Sequence, residues 1–344
     1  GGTGGQGFPA RAVGVYLKQP GGRGVGLGAK TGMEATLVPK HGYEVAWVRF
    51  SGLRGKGLMR AALLPFNLLV AFWQSARAIF AQRPDVVLGM GGYISFPGGM
   101  MASLLHRPLV IHEQNSVAGL ANKVLARLAD KVLEGFPGSL PGAQFSGNPV
   151  RKDIAALGAP GARYAVRSGR LRLLVVGGSL GAQILNETVP QALALLPQGE
   201  RPEVTHQAGE KNIEALRAGY AGAGVQAELV AFIDDMAARY AGADVVLCRA
   251  GALTVAELAC AGVASILVPF PHAVDDHQTA NAKFVSAHGA AILLPQAELS
   301  ASGLADLLRG LTRERLLEMA EKAHALGRPD ATEAVARACI ELAK

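Results

Sequence analysis

Ala243-Asp244-Val245-Val246-Leu247-Cys248-Arg249-Ala250-Gly251-Ala252-Leu253-Thr254-Val255-Ala256-Glu257-Leu258-Ala259-Cys260-Ala261-Gly262 changes periodicity within one short span. Ala243 to Cys248 is an apolar run of buried-strand length, Arg249 to Leu253 reads as a tight loop, and from Thr254 the apolar residues recur at helical spacing. A second strand and loop follow, Ile266-Leu267-Val268-Pro269-Phe270 running into Pro271-His272-Ala273-Val274-Asp275-Asp276-His277-Gln278. In an open α/β sheet, ligands sit beyond the carboxyl ends of the strands, where loops meet helix N-termini. Both loops therefore place polar groups at one rim, and a nucleotide is expected there.

Glu257 has two readings. Thr254-Val255-Ala256-Glu257 has the spacing of a capping box, which satisfies two orphan N–H groups of a helix start. Alternatively the Glu257 carboxylate holds the two hydroxyls of a ribose while the backbone N–H groups of Ala252, Leu253 and Thr254 face phosphate. Spacing alone leaves both open.

The 344 residues suggest two domains of ordinary size. Half of them are hydrophobic and 18% charged, a composition that excludes a disordered chain. A net charge of +7 and a pI near 9.4 point to an anionic partner. No arginine-rich arm, zinc spacing or aromatic-basic RNA motif accompanies that charge, so nucleic acid is not the expected one. Cys248, Cys260 and Cys339 stand in apolar contexts without a C-x-x-C, which suits a reducing compartment. No apolar run reaches the roughly 18 residues of a spanning helix. The sequence opens at Gly1 rather than at methionine, so no targeting signal is read from it.

Gly1-Gly2-Thr3-Gly4-Gly5-Gln6-Gly7-Phe8-Pro9 reads as a glycine-rich turn that lets backbone N–H groups approach a phosphate. Such a turn normally follows a buried strand, and none precedes it here. Ala10 to Leu17 reads as a short helix ended by Pro20, and the glycines between Gly21 and Gly28 make a poor second strand. A missing first strand would leave buried backbone groups unpaired. From Met33 the pattern is regular. Tyr43–Val48, Asp85–Gly89 and Pro108–His112 read as strands separated by helices, hence parallel βαβ units. Gly89-Met90-Gly91-Gly92-Tyr93 is a second glycine turn after a strand, and His112-Glu113-Gln114-Asn115 follows the third strand at the same rim. Leu53-Arg54-Gly55-Lys56-Gly57-Leu58-Met59-Arg60 precedes an apolar helix containing Leu63, Leu64, Phe66, Leu68, Leu69, Phe72 and Trp73. Basic loop and apolar helix read either as core or as an interfacial surface for anionic headgroups and a lipid-linked substrate.

Gly147-Asn148-Pro149-Val150-Arg151 closes the first half, and Leu157 to Arg170 reads as a linker. Leu171–Val176 into Gly177-Gly178-Ser179 repeats the strand, glycine turn and helix start. The boundaries expected are 1–150 and 151–329, with a final helix near 330–344 packing back on the first half. Asp234-Asp235 and Asp275-Asp276 read as helix caps rather than metal ligands.

With these residues placed, the chain resembles the MurG family of glycosyltransferases. The resemblance rests on Ser51-Gly52-Leu53-Arg54-Gly55-Lys56-Gly57, Gly89-Met90-Gly91-Gly92-Tyr93, His112-Glu113-Gln114-Asn115, Gly147-Asn148-Pro149-Val150-Arg151, Gly177-Gly178-Ser179, Phe232-Ile233-Asp234-Asp235-Met236 and Gly251 to Glu257. It implies an α/β GT-B glycosyltransferase fold, two Rossmann-like domains facing a cleft. The N-terminal domain would serve the acceptor and the membrane, and the C-terminal one would bind the UDP-sugar donor. The implied activity is an inverting hexosyltransferase that moves N-acetylglucosamine from UDP-N-acetylglucosamine to lipid I, the undecaprenyl-pyrophosphate-linked muramoyl-pentapeptide, giving lipid II of peptidoglycan. Implied partners are those two substrates and the anionic cytoplasmic face of the bacterial inner membrane, bound peripherally; no cofactor or metal is expected.

Carried over by position, Ile233 would meet uracil through its backbone and Glu257 the ribose. Ser179 and the turn Ala252, Leu253 and Thr254 would serve the diphosphate, and Val255 and Ala256 beside them would also belong to the substrate-binding segment. Arg151 would contact the donor, Gln278 the sugar, and Asn115 would reach the donor from the N-terminal domain. Thr3, Gly4 and Gly5 match the family's first glycine loop at the acceptor diphosphate. That loop ends in histidine in the family and in Gln6 here, and glutamine takes no proton at neutral pH. Gln6 would then contribute a hydrogen bond, with His112 or Glu113 assisting as base. Two other readings stay open: a non-catalytic homologue that binds UDP-sugar or scaffolds a membrane complex, and a GT-B transferase acting on another lipid acceptor.

Overall fold

The structure is a computed structural model that describes residues 4–18, 23–28, 44–49, 64–178 and 182–343, with backbone alone at 4–8, 18 and 274. It divides into two compact units, Gly1–Val150 with Asp330–Lys344, and Arg151–Pro329.

In the first unit, α1 (Gly4–Lys18) is followed by β1 (Val25–Gly28), β2 (Glu44–Trp47), α2 (Leu64–Gln82), β3 (Val87–Gly89), α3 (Ser95–Leu104), β4 (Leu109–Glu113), α4 (Leu120–Leu125), β5 (Lys131–Glu134) and β6 (Gln144–Phe145). Two expectations are corrected here. The helix starts at Gly4 rather than Ala10, so Gly4, Gly5 and Gln6 lie in its first turns instead of an open loop, and Pro9 stands inside it, where it supplies no N–H to the Gly5 carbonyl. The glycines before Gly28 do not prevent a strand: β1 pairs parallel to β2 with Val25 opposite Glu44 and Gly28 opposite Trp47. The sheet nevertheless comes in two pieces, β1-β2 and the parallel β3-β4-β5-β6, and among the described residues no ladder joins them.

The second unit holds α5 (Lys152–Ala155), α6 (Gly161–Ala165), β7 (Arg172–Val176), α7 (Gln183–Ala194), β8 (Glu203–Gln207), α8 (Ile213–Ala223), β9 (Glu228–Val230), α9 (Met236–Gly242), β10 (Val245–Cys248), α10 (Ala252–Ala261), β11 (Ala264–Leu267), α11 (His277–Ala287), β12 (Ala291–Leu293), α12 (Ala301–Arg309) and α13 (Arg313–Leu326). Its strands are all parallel in the order β12-β11-β10-β7-β8-β9. Chain order therefore reverses between β7 and β10, and the loops after those two strands flank the switch point where such sheets bind ligands. Leu173, Val175, Leu247 and Ile266 fill the core between sheet and helices. Because both sheet faces are covered, β10 is buried at every residue and reads as an unbroken apolar run.

The expected linker 157–170 is packed structure. Tyr164 is buried and donates its hydroxyl to the Asp244 carbonyl at 2.7 Å, while Arg167 lies over the Tyr164 ring and donates to Asp244 Oδ1 at 2.9 Å. Arg313 meets the other Asp244 oxygen at 3.2 Å, so the fully buried carboxylate is paired from two sides. The last helix, α14 (Ala331–Leu342), belongs to the first unit: Val335, Ala336 and Cys339 pack with Val13 of α1 and with Val110 and Leu133.

Candidate active site

The loop after β10 is fixed from α11. Gln278 Oε1 accepts the N–H of Ala250 at 3.2 Å and of Phe270 at 2.9 Å, and Asn281 donates to the Ala250 carbonyl at 3.2 Å. With Ala250 held on both sides, Gly251 becomes the N-cap and the helix begins at Ala252, two residues earlier than expected. This overturns the capping-box reading: Thr254 lies inside the first turn, and no side chain caps the helix. The N–H groups of Ala252, Leu253 and Thr254 thus head a helix of ten residues at the positive end of its dipole.

Glu257 lies one turn further along and takes its partners elsewhere. Arg151 donates through Nε to Oε1 at 3.1 Å and through a terminal nitrogen to Oε2 at 3.4 Å, and the Tyr240 hydroxyl stands 3.3 Å from Oε2. Burial raises the Glu257 carboxyl above its ordinary value, and the Arg151 charge with these hydrogen bonds pulls it back down. Ile233 is buried and Phe232 beside it exposed; Asp235 caps α9 by accepting from the Ala238 N–H at 2.9 Å, as expected of that pair. On the other side of the switch point, Gln207 at the end of β8 accepts the Gly178 N–H at 3.1 Å and donates to the Gly178 carbonyl at 3.2 Å. Arg249 spans to the next loop, donating to the carbonyls of Val268 and Pro269 and lying over the Phe270 ring.

In the first unit the His112-Glu113-Gln114-Asn115 and Gly147-Asn148-Pro149-Val150 motifs are tied together. His112 is fully buried, its Nε2 2.9 Å from the Gly147 carbonyl and its Nδ1 3.0 Å from the Gln114 amide nitrogen. That pattern makes Nε2 the protonated nitrogen and Nδ1 an acceptor. Burial lowers its pKa to about 4, so the ring is neutral near pH 7. Asn148 donates to the Gln114 carbonyl at 2.9 Å. Glu113, 3% exposed, has both oxygens occupied: Oε1 accepts from the Asn115 N–H at 2.9 Å, and Oε2 from the Gly119 N–H at 3.1 Å and the Asn122 amide at 2.8 Å. It holds the Asn115–Gly119 loop in place.

On α2, residues succeed one another at about 100°. Phe66, Leu69, Trp73 and Phe80 thus share one exposed stripe, while Ala71, Ser75 and Ile79 are buried on the opposite face. Phe72 packs sideways on Phe96 of α3, and Arg77 reaches over the Trp73 ring.

The glycosyltransferase family 28 N-terminal domain matches residues 1–134 and its C-terminal domain residues 172–335. The chain is 63% identical over 344 residues to the UDP-N-acetylglucosamine–N-acetylmuramyl-(pentapeptide) pyrophosphoryl-undecaprenol N-acetylglucosamine transferase of Dechloromonas aromatica strain RCB, covering 100% of this chain and 97% of that protein. To the Azoarcus sp. strain BH72 protein of the same description it is 65% identical with the same coverage. The crystal structure of Acinetobacter baumannii MurG superimposes with a TM-score of 0.87 at 41% identity, covering 99% of this chain and 97% of that one. The chain belongs to the MurG family. Its fold is accordingly GT-B, built from two Rossmann-like units with parallel sheets.

Of the residues carried over from the MurG family, Arg151 and Glu257 are in direct contact, and Gln278 touches the backbone at Ala250, next to the α10 N-terminus. Asn115 lies in the first unit on the Glu113 loop. Thr3, Ser179, Leu63 and the basic segment Leu53 to Arg60 lie outside the described residues, and Gln6 is described in its backbone alone. Three positions escaped the sequence reading. Gln207 had a signal, a polar side chain ending a strand at the ligand rim; Asn281 and Tyr240 had none, because an amide on a helix and an aromatic at helical spacing read as surface and core.

Proposed function

We infer that this chain transfers N-acetylglucosamine from UDP-N-acetylglucosamine to undecaprenyl-pyrophosphate-linked muramoyl-pentapeptide, lipid I, forming lipid II in peptidoglycan synthesis. The carrying observation is the α10 N-terminus at the switch point with Glu257 one turn beyond it, in a chain matching such transferases over its whole length. The N–H groups of Ala252, Leu253 and Thr254 face the diphosphate, Glu257 takes the ribose hydroxyls, and the backbone at Ile233 reads the base. Gln278 spends its amide oxygen on the two loops, so its NH2 group is the end that donates to the sugar. An inverting displacement at the anomeric carbon releases UDP, whose growing negative charge the helix N-terminus and Arg151 stabilise.

His112 and Glu113 act in this reading as positioning residues. The ring of His112 is enclosed and the Glu113 oxygens are filled, so neither offers a lone pair to an acceptor hydroxyl. Gln6 serves the acceptor through hydrogen bonding. The protein acts peripherally at the cytoplasmic face of the inner membrane: no helix among the described residues is long and apolar enough to cross a membrane, and the exposed α2 stripe together with the net charge of +7 suits an anionic surface.

The test is transfer of radiolabelled N-acetylglucosamine from its UDP donor to a lipid I analogue, with UDP binding followed by calorimetry on the same sample. Turnover is expected; UDP binding without turnover would mean a non-catalytic homologue, and glycosylation of another lipid instead would move the acceptor assignment.

A further inference from the structure

Glu257 has two donors of different kinds. Arg151 reaches it from the surface, its side chain 36% exposed, with contacts at 3.1 and 3.4 Å. Tyr240 reaches it from inside, 2% exposed, on a helix whose start is locked by the Asp235 cap. A ribose presents two adjacent hydroxyl donors and needs acceptor positions on one carboxylate, which Arg151 occupies in this structure. The exposed guanidinium can leave for the diphosphate; the buried phenol cannot leave. Burial, with the Glu257 charge beside it, keeps the Tyr240 hydroxyl protonated, so it donates to the carboxylate and does not compete for a proton.

We propose that Tyr240 is a positioning residue for nucleotide recognition: its hydroxyl holds the Glu257 carboxylate where the ribose hydroxyls meet it, while Arg151 is the partner that the ribose replaces. The inference rests on the reading that Glu257 takes the ribose. It also couples two parts of the site, since α9 begins three residues after Ile233, whose backbone is assigned to the base, and α10 carries the ribose carboxylate. A nucleotide with a correct base and a defective sugar would then be rejected through Tyr240, although Tyr240 never touches it.

The test compares UDP with 2′,3′-dideoxy-UDP by calorimetry in wild type, Tyr240→Phe, Glu257→Ala and Glu257→Asp. Tyr240→Phe is expected to weaken UDP by about 5- to 20-fold while changing dideoxy-UDP by less than about twofold, because only hydroxyl recognition depends on the carboxylate's position. In turnover the same variant should raise KM for the sugar nucleotide and leave kcat within about threefold, the mark of lost ground-state binding. Glu257→Asp, which retracts the carboxylate from both partners without altering Tyr240, should lose the same discrimination. Equal weakening of both nucleotides by Tyr240→Phe, or UDP binding within about twofold of wild type, would overturn the proposal, as would full discrimination in Glu257→Asp. Discrimination that survives Glu257→Ala would remove the ribose assignment and the proposal with it. Loss of discrimination in Glu257→Ala but not in Tyr240→Phe leaves the ribose assignment standing and overturns the role of Tyr240 alone.

Discussion

The guanidinium of Arg151 lies along the Glu257 carboxylate, Nε 3.1 Å from one oxygen and a terminal nitrogen 3.4 Å from the other. Glu257 lies in the second turn of α10, where burial raises its carboxyl above the ordinary value and the Arg151 charge opposes that rise. Removing Arg151 leaves burial unopposed by that charge and raises the Glu257 pKa further. Since ribose binding needs the carboxylate, the acid limb of UDP affinity in Arg151→Ala should move to higher pH than in wild type. Calorimetric UDP titrations across the acid range check this, and a limb at the wild-type pH would mean that Glu257 protonation does not govern binding.

Glu113→Gln separates a positioning role from a catalytic one. The variant sets an amide nitrogen against N–H donors from Asn115, Gly119 or Asn122, leaving a buried donor unpaired at a cost of about 1–3 kcal/mol. A loosened Asn115–Gly119 loop should lower transfer by about tenfold together with the melting temperature, whereas loss of a general base would cost about 100- to 10,000-fold with melting unchanged. Parallel melting curves and turnover rates decide between them.

The parts of the site that were legible in the sequence are those set locally. Val245–Cys248 reads as a strand because β10 is buried on both faces, and Asp235 reads as a cap because its partner is three residues away. The start of α10 was misplaced because it depends on Gln278 and Asn281 gripping Ala250 from another helix. The segment 157–170 read as a linker from its small residues and arginines, but Asp244, which anchors Tyr164 and Arg167, is about 80 positions away and advertises nothing locally. Gln278 was assigned to the sugar, and its grip on Ala250 and Phe270 was invisible because both partners are backbone groups. Tertiary contacts to backbone are thus where the sequence reading ran out.

Two buried histidines should make the fold acid-labile. Burial lowers His112 from 6.5 to about 4 and His206 from 6.5 to about 3, His206 lying between Asn186 Oδ1 and the Tyr220 hydroxyl. Both are neutral when folded and take up a proton on unfolding below their ordinary pKa. Their contribution is complete above pH 6.5 and is lost as pH falls toward 4 for His112 and toward 3 for His206. Each steepens the decline by up to about 1.4 kcal/mol per pH unit. His206→Gln, which can still donate and accept, should lower stability at pH 7 and flatten the slope of denaturant-derived stability between pH 6 and 4.5. An unchanged slope would show that His206 does not carry this proton.

The exposed α2 stripe makes the most accessible prediction about the membrane. Phe66, Leu69 and Trp73 are 66%, 67% and 61% exposed, so serine at these positions removes little packing and should leave the melting temperature within about 2 °C. If the stripe enters the acyl boundary, each substitution forfeits about 1–2 kcal/mol of apolar transfer, and the triple variant should bind anionic vesicles more than tenfold more weakly. Ile79 faces the opposite way and packs with Ala102, Leu109 and Leu125, so Ile79→Ser should melt earlier. Its folded fraction should bind vesicles like wild type. Co-sedimentation with anionic and zwitterionic vesicles, beside melting curves for both variants, reads the two faces apart. Undiminished vesicle binding by the triple variant would place membrane contact elsewhere on the protein.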